Sequence, residues 1–534
     1  MGLFSKKSAA PAPRVQTQNE IDLAAEQKVT FRAVFLGVVA SVGGFMFGYV
    51  SGQISGFFDM PDFGRRFSNY HDGNGYVFEA YRQGVIVALL PAGALLGSLV
   101  AGKIADSLGR RIAISASALF SCIGTIIEIT STSEWAQFAV GRLVTGVGIG
   151  ALSVVVPMYQ SESAPAILRG ILVSCYQLFI TLGIWTAEMI NYGTHDLTNS
   201  GSWRIPNGIS FLWALVLGGG ILFLPESPRY AYRVGRVDEA RNTIARLAGL
   251  EPTARSVNIQ IDEIRIKLEE EKAGADTKWY EIFGKSLLRR TLIGIILQSG
   301  QQLTGANFFF YYGTTIFKAT GLEDSYVTQI ILGSVNVGCT VAGLWVVKNV
   351  GRRKALIAGA LWMTMCFLIY SFVGRFVLDP VNPASTPEAG NVLIVFSCFF
   401  IVAFATTWGP LVWAVVAELY PARYRAPAMA LATSSNWMWN FLMSLFTRPI
   451  TDSIGYFYGL VFAGCCLALA AFVWLFVIES KDRTLEEIET MYEQKVSPRH
   501  SSRWQAGGQM GQRDHEEKPE IHSGSATTST HGDA

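Results

Sequence analysis

The chain has 534 residues, of which 50% are hydrophobic and only 16% charged, and its mean hydropathy is +0.31. Soluble proteins usually carry about 25% charged residues, so this composition indicates a membrane protein. The formal net charge of +2 gives no basis for a nucleic-acid partner. The 7 cysteines all lie in apolar segments and lack metal-ligand spacing, so we expect no metal, no cofactor and no structural disulfide.

Apolar stretches that could cross a bilayer recur along the whole chain. A membrane-spanning helix needs about 20 mostly apolar residues. About twelve segments meet this requirement: 33–57, 81–105, 111–130, 135–157, 169–191, 207–225, 291–317, 326–348, 354–375, 391–419, 427–447 and 456–478. They predict an all-α integral membrane protein made of twelve transmembrane helices in two six-helix halves, residues 31–225 and 291–480.

Three polar segments flank or separate the halves. Residues 1–30 form an N-terminal tail, and 481–534 form a tail that we predict to be mostly disordered from about residue 497. The insert 226–290 is amphipathic and charged, which favours surface helices over a flexible linker. Lys and Arg are more frequent in the even-numbered loops, so the positive-inside rule places both termini and the insert in the cytoplasm.

Three motifs occur once in each half and in the same order. GKIADSLGRR is matched by WVVKNVGRR, ESAPAILRG by ELYPARYRA, and PESPR by IESKD. Repeats at nearly one spacing indicate a duplicated six-helix unit.

Five longer strings carry a family resemblance. They are GRLVTGVGIG (141–150), PMYQSESAPAILRG (157–170), PESPRY (225–230), QQLTGANFFFYY (301–312) and GPLVWAVVAELYPARYR (409–425). With these strings in order, residues 30 to 490 resemble the sugar porters of the major facilitator superfamily, both fungal-type and facilitative glucose carriers. The resemblance implies alternating-access transport of a hexose, with glucose as the first choice, by a monomer in the plasma membrane.

Predicted span 7 carries amides suited to a sugar. Gln298, Gln301 and Gln302 have i, i+3, i+4 spacing and therefore share one helix face. An amide both donates and accepts hydrogen bonds, as sugar hydroxyls require. Gly305 should loosen the helix and let Asn307 turn inward as well.

The resemblance adds residues from other spans. It implies that Gln177, Asn336, Trp413 and Asn436 also bind the substrate, although a lone Asn in a membrane helix is often interhelical glue and Trp413 could be core packing. It further implies a gate at Tyr311 and Tyr312 beside the sugar. Gly409 and Pro410 should add a flexible point in span 10 that lets this gate close.

Charged residues at the predicted cytoplasmic ends of the spans have a different role in the resembling family, where they form ion pairs that latch the halves. Arg–carboxylate pairs suit a latch because they can be bidentate; the simpler alternative is solvated loop charge. One departure from the family is Lys348, which stands where an acidic residue is common, so one pair should be lost or rearranged. The latch residues here are Asp106, Arg110, Glu162, Arg169, Glu226, Arg229, Arg352, Glu418, Arg425 and Glu479.

A second departure bears on energy coupling. Proton-coupled relatives often carry Asp in a GYD string of span 1, paired with an Arg in span 4; here Val50 replaces the Asp, whereas Arg142 is present. Glu128 and Glu188 could substitute as proton acceptors, but we expect both near the outer interface, where a glutamate reaches water. The sequence therefore favours facilitated uniport, with proton–sugar symport as the alternative.

Other classes remain open. A sugar sensor on the same fold would signal through its tail, and the tail is short. Another polyol-like substrate is compatible with the same amides. A membrane enzyme is not expected, because no nucleophile–base pair or GxxxxGK[ST] phosphate loop is evident.

Overall fold

The computed structural model describes residues 30–71, 76–273, 279–285, 287–318, 325–379, 385–481, 483 and 485–504. Within these residues the chain is almost entirely helical, and the β structure is one antiparallel pairing of Tyr70–His71 with Tyr76–Val77. The predicted N-terminal tail up to residue 29 lies outside the described residues.

Twelve helical spans account for the bundle in the described part of the chain, which confirms the predicted all-α membrane fold. Nine stretches of helix there are long and apolar enough to cross a membrane by length and composition. Spans 1 to 6 are Phe31–Phe57, Ala80–Leu108, Arg110–Ile129, Trp135–Ser163, Ala166–Thr194 and Gly201–Leu222. Spans 8, 9, 11 and 12 are Ser325–Asn349, Arg352–Phe376, Ala422–Ile454 and Tyr458–Phe476.

Spans 7 and 10 are interrupted helices. Span 7 consists of Leu288–Leu303 followed by Ala306–Lys318. Span 10 consists of Pro387–Ala403, one π-helical turn at Phe404–Trp408, and Gly409–Glu418. Both interruptions fall near the middle of their spans, where irregular backbone is tolerated only if it is buried in protein or lines a cavity.

Four prolines explain where the predicted span bounds were wrong. Predicted bounds fall within two residues of Pro157, Pro206, Pro427 and Pro449, whereas the helices continue through all four prolines. A proline removes one backbone donor and usually breaks a soluble helix. Packed membrane helices tolerate it because neighbouring groups satisfy the freed carbonyls.

Glycines allow close contact between spans of the N-terminal half. A Cβ added to Gly150 of span 4 would lie 2.1 Å from the carbonyl oxygen of Ala94 in span 2. A Cβ on Gly48 of span 1 would lie 1.9 Å from the Ile180 oxygen in span 5. Glycine at such positions lets the backbones of two helices pack closely. This close packing drives helix association in membranes, where the hydrophobic effect between helices is absent.

The described residues of the insert between the halves form the helices Pro228–Arg233, Val237–Ala248 and Arg255–Ala273 and a 3₁₀ turn at Trp279–Phe283. It contacts span 1 directly, because the Thr30 hydroxyl donates to the Leu247 carbonyl at 2.6 Å. The same hydroxyl accepts from the Ala33 N–H and so caps span 1.

The chain after span 12 is folded as far as residue 504. In the helix Leu485–Glu493, Ile488 and Met491 are buried against Ile478. The Ser501 hydroxyl accepts a hydrogen bond of 2.9 Å from the backbone N–H of Glu479. The prediction of disorder from about residue 497 is therefore wrong for 497–504, because this segment packs on the end of span 12; residues 505–534 lie outside the described part.

The loop after span 1 is joined to span 6 by a buried carboxylate. Asp62, in the short helix Pro61–Phe67, accepts from Arg66 Nε at 2.7 Å and Trp203 Nε1 at 3.1 Å, and also pairs with Arg65. Burial alone would raise the pKa of Asp62, but the hydrogen bonds from Arg66, Trp203 and Arg65 outweigh it and hold the pKa below its usual range.

Candidate functional site

Asn436 of span 11 lies at the centre of a network of amides. Its Nδ2 is 2.8 Å from Gln298 Oε1, 2.8 Å from Gln301 Oε1 and 3.0 Å from the Gln298 carbonyl. Its Oδ1 accepts from Gln302 Nε2 at 2.9 Å. Gln298, Gln301 and Asn436 are buried, whereas Gln302 is only half-buried. Three of the predicted sugar residues on span 7 are thus joined to a fourth on span 11.

The interruption of span 7 is built around Gly305, and the predicted break in the helix is confirmed. Gly305 has φ of +89°, a backbone conformation that glycine adopts without a steric penalty. A Cβ there would lie 2.7 Å from the Phe462 ring. The break starts a new helix at Ala306 and lets Asn307 Nδ2 donate to Gln302 Oε1 at 2.5 Å.

The irregular turn of span 10 is bonded to the same network. Gln301 Nε2 donates to the carbonyl oxygens of Trp408, at 3.0 Å, and Gly409, at 2.9 Å. Trp408 is fully buried, and its Nε1 donates to the Leu356 carbonyl. Gly409 and Pro410, predicted as part of a gate, therefore lie where span 10 meets the amides.

Tyr311 and Tyr312 are buried against span 11. The Tyr311 hydroxyl donates to Asn440 Oδ1 at 3.3 Å, and the Tyr312 hydroxyl donates to the Ser444 carbonyl at 2.5 Å. The sequence analysis missed Asn440, Ser444 and Trp408. A signal existed for the first two, because residues 436, 440 and 444 are spaced by four and so follow one stripe of the helix.

Three residues taken from the resemblance lie outside this hydrogen-bond network. In the described part of the chain, Gln177 of span 5 and Trp413 of span 10 are half-buried, and Asn336 of span 8 is buried. Their assignment to the substrate continues to rest on the resemblance.

Arg142 of span 4 is fully buried and faces span 1. Its Nη1 donates to the Val50 carbonyl at 3.0 Å, so a backbone oxygen contacts the guanidinium at the position where the resemblance led us to look for an acidic residue. Glu128 of span 3 is also fully buried and accepts from Thr145 Oγ1 at 2.7 Å and Asn207 Nδ2 at 3.0 Å. The expectation that Glu128 and Glu188 reach water at the outer interface is wrong, because helix packing leaves both buried, Glu188 at 5% exposure.

Glu226 caps span 3 at the predicted cytoplasmic end, called the inner end below. Its carboxylate accepts from the backbone N–H groups of Arg110, at 3.0 Å, and Arg111, at 3.3 Å. An anion is favourable there because the first N–H groups of a helix lack intrahelical partners. The Arg110 guanidinium in turn pairs with Glu162, at 2.9 Å, and Asp106, at 3.1 Å.

The C-terminal half repeats this arrangement. Glu479 accepts from the N–H groups of Arg352, at 2.8 Å, and Arg353, at 3.3 Å. The Arg352 guanidinium pairs with Glu418 at 3.3 Å. Lys348 lies four residues before Arg352, as Asp106 lies four residues before Arg110, so the second cluster has a cation in place of that carboxylate.

The ion pairs of these two clusters each join helices of a single half. Among the remaining predicted latch residues, Arg425 donates to the Tyr420 carbonyl at 3.3 Å, Arg229 lies in the helix Pro228–Arg233, and the side chain of Arg169 is outside the described part. In this conformation the clusters therefore stabilise each half.

At the opposite, outer end the two halves are in contact. Tyr326 of span 8 donates to the Gly56 carbonyl of span 1 at 2.7 Å, and Thr314 Oγ1 of span 7 donates to the Ser55 carbonyl at 2.6 Å. Trp185 Nε1 of span 5 donates to Ser334 Oγ of span 8 at 2.9 Å. The structure thus represents a conformation closed at the outer end.

Two repeated six-helix halves, interrupted spans 7 and 10 and a buried amide network are the features of a membrane carrier. Residues 36–492 match the family model described as "Sugar (and other) transporter", and the chain belongs to this family.

Relatives agree with this assignment, and a solved structure shares the fold. The chain is 42% identical to the low-affinity glucose transporter HXT3 of Saccharomyces cerevisiae over 89% of this chain and 84% of that protein. It is 42% identical to a galactose transporter of the same yeast, over 91% of this chain and 86% of that protein. The inward-open structure of the xylose transporter XylE from E. coli aligns with a TM-score of 0.71 at 24% identity, covering 86% of this chain and 99% of XylE.

Proposed function

We propose that this protein carries a hexose, with glucose as the first choice, across the plasma membrane as a monomer embedded in lipid. The observation that carries the proposal is the amide network of Gln298, Gln301, Gln302 and Asn436, which offers neutral donors and acceptors at the bundle centre. Similarity to glucose and galactose transporters supports the same substrate class.

The proposed mechanism is alternating access around this network. Gln177, Asn307, Asn336 and Trp413 complete the sugar site, and the halves 31–225 and 291–480 move about it. Gln301 already contacts the irregular turn of span 10, so a sugar hydroxyl that displaces the Gly409 carbonyl from Gln301 would couple binding to movement of that span. A ligand shifts such an equilibrium only by its differential affinity for the two states.

At the inner end, the charged clusters would join the two halves when the carrier faces outward. Each cluster already holds a carboxylate and a guanidinium close together, as in the Arg110–Glu162 and Arg352–Glu418 pairs. Closure of the inner end would bring the two clusters together and allow pairs to form between halves.

We favour facilitated uniport. The Val50 backbone carbonyl takes the place of a carboxylate beside Arg142, so span 1 offers no proton acceptor at that position. Proton symport is the second candidate, because the buried Glu128 next to Arg142 could carry the proton instead.

Uptake of labelled glucose in cells that lack their own hexose carriers separates the candidates. Uniport predicts uptake that survives a protonophore and never exceeds the outside concentration. Collapse of uptake together with sugar-induced proton entry would establish symport, and Glu128→Gln would then abolish it. Absence of hexose uptake, with protein at the cell surface, would refute the proposed function and favour a sensor or another polyol-like substrate.

The site assignment has its own test. Gln301→Ala should reduce uptake severely at normal surface abundance. Ser434→Ala is the matched control, because that hydroxyl donates only within its own helix, to the Ala430 carbonyl at 2.8 Å. Normal uptake by the Gln301 variant would contradict the assignment.

A further inference from the structure

A small cavity lies between the halves at the outer end, away from the amide network. Spans 1, 5, 7 and 8 all line it, so it exists only while the outer ends are together. The lining residues are Gly52, Ser55, Gly56, Glu188, Asn191, Thr314, Tyr326 and Gln329. Glu188 approaches span 8 closely enough that a Cβ on Gly333 would lie 2.1 Å from its Oε2.

The hydrogen-bond donors of this cavity are already committed. The Gln329 amide nitrogen donates to the Phe309 carbonyl at 3.0 Å and to Ser55 Oγ at 3.4 Å. The hydroxyl of Thr314 donates to the Ser55 carbonyl, which leaves the Ser55 hydroxyl to donate to Thr314 Oγ1 at 3.3 Å. Tyr326 donates to the Gly56 carbonyl, as described above.

Acceptors, in contrast, are in excess. Within the described residues, Glu188 Oε2, Asn191 Oδ1 and Gln329 Oε1 are buried without a hydrogen-bond partner. The amide orientations are fixed, because Asn191 Nδ2 donates to the Gln53 carbonyl at 2.8 Å and Gln329 Nε2 is engaged as above. An ionised carboxylate among unpartnered oxygens would cost free energy on burial.

We propose that Glu188 is a proton-binding site of the outer gate: it takes up one proton from the outer solution when the outer ends of the halves close. Protonation removes the buried charge and adds an O–H donor to a cavity in which Asn191 Oδ1 and Gln329 Oε1 are buried acceptors without a partner. When the outer ends separate, water reaches Glu188 and the proton returns to the side from which it came. The proton thus regulates the gate and is not transported.

Other titratable groups lie on the elements that line the cavity or pack against those elements. Span 8 contributes the phenol of Tyr326, and the end of span 5 contributes His195, whose ring centroid is 4.4 Å from that of Tyr326. Span 4 contributes Arg142, which is engaged by the Val50 carbonyl. The described lining residues of spans 1 and 7 are neutral. Because this ring contacts Tyr326, which lines the cavity, His195→Gln is the control for a contribution from His195.

The test measures gate closure without sugar. In proteoliposomes, Ser55→Cys is labelled by a membrane-impermeant thiol reagent between pH 5 and 8, and the parent chain gives the background from the native cysteines. The labelling rate of the Ser55→Cys chain is compared with that of the Ser55→Cys chain that also carries Glu188→Gln. Both chains have the same introduced thiol, so the ratio of the two labelling rates cancels the titration of that thiol. Glu134→Gln, an exposed outer glutamate, and His195→Gln serve as controls.

Because one proton is involved, we expect labelling of the Glu188 chain to fall by up to about tenfold for each unit of acidification, relative to the Glu188→Gln chain. The glutamine should keep the gate closed at every pH, and both controls, made in the Ser55→Cys chain, should show the same pH response as the Ser55→Cys chain that retains Glu188. A constant ratio across the pH range, or a response lost in His195→Gln, would overturn the proposal. If Glu188→Gln does not reach the membrane, Glu188→Asp is the substitute, and it should shift the response without removing it.

The inference rests on the proposed carrier function, and the two can fail separately. Hexose counterflow is measured in the same vesicles. Counterflow with a constant labelling ratio would refute the Glu188 site alone. A pH-dependent ratio without hexose counterflow would refute the proposed substrate and leave the gate site standing. Net proton release into the vesicle lumen with sugar would show that the proton crosses, which would also overturn the proposal.

Discussion

Replacement of Asn436 by alanine tests whether the amide network serves the sugar or only joins helices. The side chain contacts three other amides, those of Gln298, Gln301 and Gln302. Interhelical hydrogen bonds in membranes average about 0.6 kcal/mol each, so their loss amounts to about 2 kcal/mol. Without Asn436 the three glutamine amides are no longer held in place. If sugar binding has to order them again and this costs the same about 2 kcal/mol, kcat/KM for uptake should fall about 30-fold.

The assay is initial-rate uptake of labelled glucose, normalised to surface protein, together with the thermal midpoint of the purified carrier. Ser434→Ala, two residues earlier in the same helix, should leave both values unchanged. A lowered thermal midpoint with normal kcat/KM would show that Asn436 only holds spans 7 and 11 together. The assignment of the network to the sugar would then be refuted.

Three further predictions concern stability. Glu479→Ala leaves the first N–H groups of span 9 without their acceptor, so the free energy of unfolding should fall by about 2 kcal/mol in chemical or thermal unfolding, whereas an unchanged value would contradict the capping role. The pKa of Asp62 is held low in the folded state, so the contribution of its carboxylate to folding stability is present above about pH 4 and is lost as the pH falls further. The difference in stability between the parent and Asp62→Asn should therefore shrink on acidification below about pH 4. Equal thermal unfolding midpoints of the two proteins at pH 6 would refute this. Gly305→Ala should cost about 1–3 kcal/mol of backbone strain and reduce uptake, whereas Gly464→Ala, where an added Cβ meets nothing within 4 Å, should do neither.

Hydropathy and motif order were sufficient to predict the twelve spans and the amides of span 7. The length of an apolar segment is a local property of the sequence. The i, i+3, i+4 spacing of Gln298, Gln301 and Gln302 can likewise be read directly from the sequence. The same local view misjudged the prolines, because their tolerance depends on neighbouring helices that a single segment does not reveal.

The burial of Glu128 and Glu188 was beyond sequence reasoning for a related reason. A glutamate near the end of an apolar segment is usually able to reach water, and only the packing of other spans decides whether it does. Glu188 is covered by residues more than 130 positions away, such as Gln329 and Gly333. In the same way, Trp408 could not be assigned to the site, because its contribution is a backbone carbonyl, which every residue possesses.

The segment after span 12 has a practical meaning for anyone who modifies this carrier. The Ser501 hydroxyl binds the backbone of Glu479, and Arg499 lies 3.9 Å from the ring centroid of Trp474. The stop codon or fluorescent fusion that an experimenter would place just after the last hydrophobic helix would therefore remove the support beneath the cap of span 9. A junction beyond residue 504 keeps that support, because the described folded chain continues for 26 positions (504 − 478) past the end that hydropathy predicts for span 12.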